Sequence, residues 1–159
     1  MIIKKILLKR LKELKKRMLP IDTSSYDYKF NKTLNEDVKL KSDQYGQYDI
    51  SMKNGDYENV TGLESLNNAC IIAIMTRFDE IKTETYNEFG CLAHELVKDN
   101  QTPLTSSKLE IYITEVLENI RRIDSVDSLT ITNNNDAEYN VDFTVTSIND
   151  ETISGSVTL

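Results

Sequence analysis

The feature that most constrains this chain is an almost wholly apolar helical pattern between Leu63 and Phe78. Its apolar side chains recur three and four residues apart, so they share one face of a helix. Further apolar residues widen that face, which is typical of a helix buried on several sides. Thr61 and Glu64 have capping-box spacing and predict the start of the helix. The face consists of Leu63, Leu66, Cys70, Ala73, Ile74 and Phe78, widened by Ile71, Ile72 and Met75.

The residues before this helix predict a β-hairpin. Tyr48, Ile50 and Met52 alternate with polar residues, which is the pattern of a half-buried strand. Asn54-Gly55 is a strong signal for a two-residue hairpin turn. Residues 57–60 would then return as the second strand.

The residues after the helix predict two more helices and a sheet. A short helix would start near Gly90 and be broken by Pro103, and a longer one would begin at a second capping box, Ser107 and Glu110. Three alternating strands would follow as an antiparallel meander. Their inward-facing residues are Leu129 and Ile131, then Tyr139, Val141, Phe143 and Val145, then Ile153, Gly155, Val157 and Leu159. This order predicts an α+β fold, with helices packed on a small, mainly antiparallel sheet.

The amino-terminal residues form a separate basic helix in this interpretation. Residues 1–18 hold eight of the 19 Lys and Arg but only one of the 26 Asp and Glu, so they carry +7 and the remainder carries −14. Leu7, Leu11 and Leu14 lie on an apolar stripe that Pro20 ends. An isolated helix of this length is marginal in water, so the stripe needs a surface. That surface could be another protein, the chain's own domain or an anionic membrane.

The sequence therefore divides into three parts. A basic amphipathic helical arm covers residues 1–20, a connector covers 21–46, and the α+β domain covers 47–159. The connector is polar, with scattered aromatic residues and no sustained period, so we expect an extended loop.

Residues with catalytic potential are few. His94 could share a helix face with Cys91, but a structural histidine is the commoner outcome. Cys70 is expected to be a buried free thiol. Carboxylates such as Glu80 and Glu95 are numerous, and such groups are usually solvated. The chain has no glycine-rich phosphate loop, metal-ligand cluster or nucleic-acid-binding pattern, so we expect no cofactor, no metal and no nucleic acid.

The sequence also lacks the patterns of membrane insertion and export. It contains no run of about 18 uncharged apolar residues, as a membrane span requires. Lys9 and Arg10 interrupt the amino-terminal apolar run, which is unlike a signal peptide. We therefore expect a soluble protein of a reducing compartment.

Three short motifs follow one another along the chain: Gly62-Leu63-Glu64-x-Leu66, then Met75-Thr76-Arg77 with the Glu80 turn, then Tyr86-x-x-Phe89-Gly90-Cys91. They resemble the motifs of the contractile-tail baseplate wedge family, whose early members were labelled phage tail lysozymes. The resemblance covers about residues 48–159. The family's Glu-Pro-Arg signature before a hydrophobic strand is matched here by Arg122 alone, and Glu118, one turn earlier, could supply the missing carboxylate.

The resemblance implies a structural protein of a phage tail, tailocin or related injection machine. Such a protein would be present in several copies in the baseplate, after assembly in the host cytoplasm. It would bind other wedge proteins and seed assembly of the tail sheath protein. The alternatives are a muramidase-like cell-wall hydrolase, vestigial or active, and a small regulatory adaptor. The candidate partner-binding residues are Leu7, Leu11, Leu14, Glu80, Glu118, Arg121, Arg122, Ser154, Ser156 and Thr158.

Two of these candidate sites follow from specific physical arguments. Arg122 is expected at the surface, where its guanidinium fork would hold a partner's carboxylate with two hydrogen bonds. The alternative is a solvated cation at a helix end. The last strand has no Lys or Pro after Thr152 to blunt it, so we expect a sheath arm to pair with this sheet. The alternative is that residues 21–46 cover its edges.

Overall fold

A three-stranded antiparallel sheet with helices packed on it forms the centre of the fold. The structure is a computed structural model that describes residues 32–44, 47–81, 89–97, 102–133 and 138–159. The α+β class is confirmed within these residues, and the predicted helix at residues 2–18 lies outside them. The elements are β1 (Glu36–Val38), β2 (Leu40–Ser42), β3 (Tyr48–Ile50), β4 (Met52–Lys53), β5 (Asp56–Tyr57), β6 (Asn59–Thr61), α1 (Leu63–Met75), α2 (Ala93–Leu96), α3 (Pro103–Glu118), β7 (Ile123–Asn133), β8 (Tyr139–Ser147) and β9 (Thr152–Thr158).

The predicted carboxy-terminal meander is confirmed. Its strand order is β7-β8-β9, and both pairings are antiparallel. Helix α1 packs against β9 and helix α3 packs against β7. Strand β7 begins at Ile123, before the predicted alternation, and its pairing with β8 contains two register shifts. The alternating residues of β8 are buried, namely Tyr139, Val141, Phe143 and Val145.

Helix α1 is the buried helix that the sequence predicts, but its start differs. Thr61 lies in β6, where it pairs with Glu36, so the predicted capping box with Glu64 is wrong. Gly62 occupies the N-cap position with a φ of 64° and no side-chain capping bond. The helix ends at Met75, so Phe78 lies beyond it and is 39% exposed.

Helix α3 begins at Pro103, which the sequence analysis placed as a helix breaker. Thr102 is the N-cap, and its hydroxyl accepts the Thr105 N–H at 3.2 Å. Proline suits this position because its missing N–H would be unpaired in the first turn anyway. Ser107 lies inside the helix and donates to the Pro103 carbonyl, so the second predicted capping box is also wrong.

The segment before α1 contains more strands than predicted. The Asn54-Gly55 turn is confirmed, with φ values of 55° and 85°, and it joins β4 to β5. Strand β3 pairs with β2, however, and β6 pairs with β1. Both partner strands lie in the segment predicted as a loop. Ile50 and Met52 are exposed (45% and 58%), not half-buried as predicted.

These short strands meet at a three-way junction. Lys39 N–H donates to the Glu58 carbonyl, Ser51 N–H donates to Lys39, and Glu58 N–H donates to Ser51, at 2.7, 2.7 and 3.1 Å. The Glu58 carboxylate also accepts from Lys39 Nζ and Ser51 Oγ. These two bonds lower the pKa of the Glu58 carboxyl. The closed ring of backbone bonds fixes where the β2–β3 and β4–β5 hairpins diverge.

Candidate functional site

The outer edge of β9 is the strongest candidate site in the described residues. Tyr139 and Leu159 exchange both backbone hydrogen bonds, at 3.0 and 2.9 Å. Because such pairs alternate along an antiparallel ladder, every second residue of β9 turns its N–H and C=O away from β8. In the register of this sheet those residues are Thr152, Ser154, Ser156 and Thr158. Within the described ranges, no group accepts a hydrogen bond from their N–H groups.

Strand β9 also lacks the features that usually block an open edge. Its seven residues, Thr152–Thr158, contain no charge and no proline. Its pairing with β8 continues without a register shift. Natural proteins normally block such an edge with charges, prolines or bulges. The edge is therefore suited to pair with another strand.

The short strands before α1 are protected in a way that β9 is not. The outward N–H groups of Val38, Ile50 and Tyr57 each donate to the carboxylate of the preceding residue. The accepting residues are Asp37, Asp49 and Asp56, and the three distances are 2.8, 2.7 and 2.8 Å. Each of these N–H groups is already paired, so an added strand would gain little there.

The opposite edge of the sheet is less regular. The two register shifts in β7 lie between Ile123 and Ser125 and between Val126 and Ser128. Asp124 and Asp127 are exposed in the same half of the strand. Bulges and charges of this kind interrupt pairing along an edge. Of the two edges, β9 offers the longer regular template.

Tyr48 was not among the predicted site residues, yet it contacts this edge. Its hydroxyl donates to the Ser156 carbonyl at 2.7 Å. The tyrosine is half-buried and packs against the core, and burial raises the pKa of its hydroxyl. The sequence shows only an alternating Tyr48, so nothing in it links this residue to a strand 108 positions later.

Arg122 lies inside the protein, which corrects the expectation that it is a surface residue. It is 9% exposed, and its Nη1 donates to the Leu34 carbonyl at 2.5 Å and to Ser65 Oγ at 3.2 Å. Burial lowers the pKa of its guanidinium group. Leu34 precedes β1 and Ser65 lies in α1, so the two hydrogen bonds of Arg122 link the residues before β1 to α1.

The other predicted contact residues do not gather into one site. Glu80, Glu118 and Arg121 are exposed. Glu80 Oε2 accepts the Arg77 N–H at 3.1 Å, which closes a tight turn after α1. Leu7, Leu11 and Leu14 lie outside the described residues.

The residues with catalytic potential are held in structural roles. His94 Nε2 lies 2.9 Å from the Ile74 carbonyl, at the end of α1. Burial raises the pKa of Cys70 to about 12 and also raises the pKa of Cys91. Both thiols are buried and free of disulfides. Because only the thiolate is a good nucleophile, neither cysteine is activated.

Metal-binding clusters and membrane-spanning helices are both absent from the described ranges. These ranges contain no group of three or more His, Cys, Asp or Glu residues that could hold a metal ion. No helix among them is long and apolar enough to cross a membrane.

Most of the chain matches one known protein family. Residues 21–150 match the family described as contractile injection system sheath initiator. No individually curated protein matches the chain. The match begins well before residue 48, so it includes the segment predicted as a connector, and it ends just before β9. It confirms the expected relation to contractile-tail baseplates and supports a structural role in sheath assembly. The chain belongs to the family of contractile injection system sheath initiators.

Proposed function

We propose that this chain starts the sheath by offering the outer edge of β9 to a β-strand of the first sheath subunits. The observation that carries the proposal is the row of outward backbone groups at Ser154, Ser156 and Thr158, on a strand without charges or bulges. Strand addition uses such groups for affinity, and the side chains of the incoming strand add specificity. An edge that seeds a repeating assembly has to present backbone groups that its partner can bond.

Proline substitution at the outward positions tests this proposal. Ser154→Pro and Thr158→Pro each remove an N–H that an added strand would use, while the bonds to β8 remain. We expect each to weaken binding of purified sheath subunits about 2- to 10-fold, as the loss of one hydrogen bond predicts. Sheath nucleation on isolated baseplates should fall in parallel. Ser154→Ala keeps the N–H and serves as the control. Proline variants that fold and still nucleate sheath normally would contradict strand addition at β9.

We infer that the amino-terminal arm, residues 1–20, anchors the protein in the baseplate. The arm's leucine stripe, with Leu7, Leu11 and Leu14, would dock on another wedge protein, and its lysines would meet acidic side chains. Glu80, Glu118 and Arg121 are exposed and remain candidates for further wedge contacts.

Removal of the arm tests this anchoring role. Deletion of residues 1–18 should leave the melting temperature of the remaining chain within a few degrees and weaken its incorporation into baseplates. Replacement of the three leucines with serine should reproduce the loss. A fall of many degrees in melting temperature would instead make the arm part of the chain's own core.

We infer in addition that the role is non-enzymatic. A glycosidase needs two carboxyl groups whose environments separate their pKa values. Glu80 is exposed and engaged with the Arg77 backbone, and Glu95 is exposed on α2. Release of soluble fragments from peptidoglycan by the purified chain, abolished by Glu80→Gln or Glu95→Gln, would overturn this inference.

A further inference from the structure

One hydrogen bond closes the middle of the edge that the proposed function needs open. The Tyr48 hydroxyl donates to the carbonyl of Ser156, one of the outward residues of β9. Tyr48 belongs to β3, so this side chain links the β2–β3 hairpin to the outer edge of β9.

The position of the hydroxyl decides whether an added strand can coexist with it. Neighbouring strands in a sheet lie about 4.8 Å apart. The Tyr48 oxygen is 2.7 Å from the Ser156 oxygen, on the side that faces away from β8. The hydroxyl therefore lies where a backbone donor of an added strand would have to lie, and it uses one of the carbonyls that the strand would bond.

We propose that Tyr48 gates the β9 edge, so that the β2–β3 hairpin must release Ser156 before a β-strand of a sheath subunit pairs there. This inference rests on the proposed function. The gate keeps the edge of an unassembled molecule from pairing with the wrong strand. A sheath strand displaces the single Tyr48–Ser156 hydrogen bond because it forms several backbone hydrogen bonds in its place.

The hairpin that carries Tyr48 is a small unit, with Leu40 and Tyr48 packed against the core. Its strands β2 and β3 have only three residues each, and such a small two-stranded unit is marginal by itself. Within the described ranges, the Tyr48–Ser156 bond is its one hydrogen bond to β9. The junction at Lys39, Ser51 and Glu58 holds the base of the hairpin, so release at Tyr48 need not disturb β1 and β6.

Removal of one oxygen atom tests the gate. Tyr48→Phe keeps the ring that packs against the core and removes the donor to Ser156. We expect purified sheath subunits of the same injection system to bind the full-length variant about 2- to 10-fold more tightly, because they no longer displace a hydrogen bond. Their association rate should rise in the same direction. Tyr57→Phe is the matched control, since Tyr57 is 60% exposed on the other hairpin, and it should leave binding unchanged.

Combination with proline substitution separates the gate from the proposed function. In a Ser154→Pro background, the increase in sheath affinity caused by Tyr48→Phe should shrink or vanish, because proline has already removed a backbone donor from the edge. If Ser154→Pro weakens binding but Tyr48→Phe leaves it unchanged or weaker, the gate is wrong and strand addition stands. If Ser154→Pro has no effect, strand addition at β9 is wrong, and the gate falls with it.

Discussion

Replacement of Arg122 with alanine should lower the free energy of unfolding by about 2–4 kcal/mol. The guanidinium group bonds the Leu34 carbonyl and the Ser65 hydroxyl in the interior. Its loss leaves a buried carbonyl without this donor and removes the contacts of the long side-chain stem. Urea titration of the variant and the wild-type chain, followed by circular dichroism, measures the difference.

Arg121 provides the matched control for this prediction. It is the same residue type one position earlier, and it is exposed. Arg121→Ala should change stability by no more than about 0.5 kcal/mol, as is usual for surface substitutions. Equal effects of the two substitutions would show that Arg122 contributes little through its buried bonds. A sheath-assembly defect in Arg121→Ala without loss of stability would instead identify Arg121 as a partner contact.

Arg122 also shows why part of this structure could not be predicted from the sequence. An arginine at a predicted helix end resembles a solvated cation, and nothing local indicates a bond to Leu34, 88 positions away. The capping boxes failed for a related reason. Thr61 and Ser107 have the correct spacing, but strand pairing engages the first and Pro103 starts the helix before the second.

The elements that sequence reasoning did predict have strong local patterns. Helix α1 and the β7–β9 meander each repeat their period over many residues, so no other secondary-structure assignment fits these residues equally well. The strands of the three-way junction have two or three residues each, and the alternation of Tyr48, Ile50 and Met52 runs across two of them, β3 and β4, instead of along one. The absence of charge and proline from β9 can be read from the sequence, whereas the contact with Tyr48 depends on tertiary packing.

Gly90, next to the turn after α1, is the second position where we expect a substitution to lower the stability strongly. Residues 89–91 lie against this turn, with Cys91 N–H donating to the Thr76 carbonyl at 2.8 Å. Gly90 has a φ of 107°, and a Cβ there would lie 2.4 Å from the Arg77 carbonyl oxygen. The atoms in the way are backbone, so they cannot rotate aside as a side chain could. The two segments can approach this closely only because residue 90 has no side chain.

Gly90→Ala should therefore cost about 2–5 kcal/mol, the sum of an unfavourable backbone conformation and an overpacked contact. Gly55→Ala is the control, because Gly55 also has a positive φ (85°) but no atom lies within 4 Å of its added Cβ. It should cost only about 1–2 kcal/mol, from the backbone conformation alone. Urea titration of both variants isolates the steric contribution as their difference. Equal losses would mean that the segment around Gly90 can move away from Arg77, and that the close approach does not hold the turn in place.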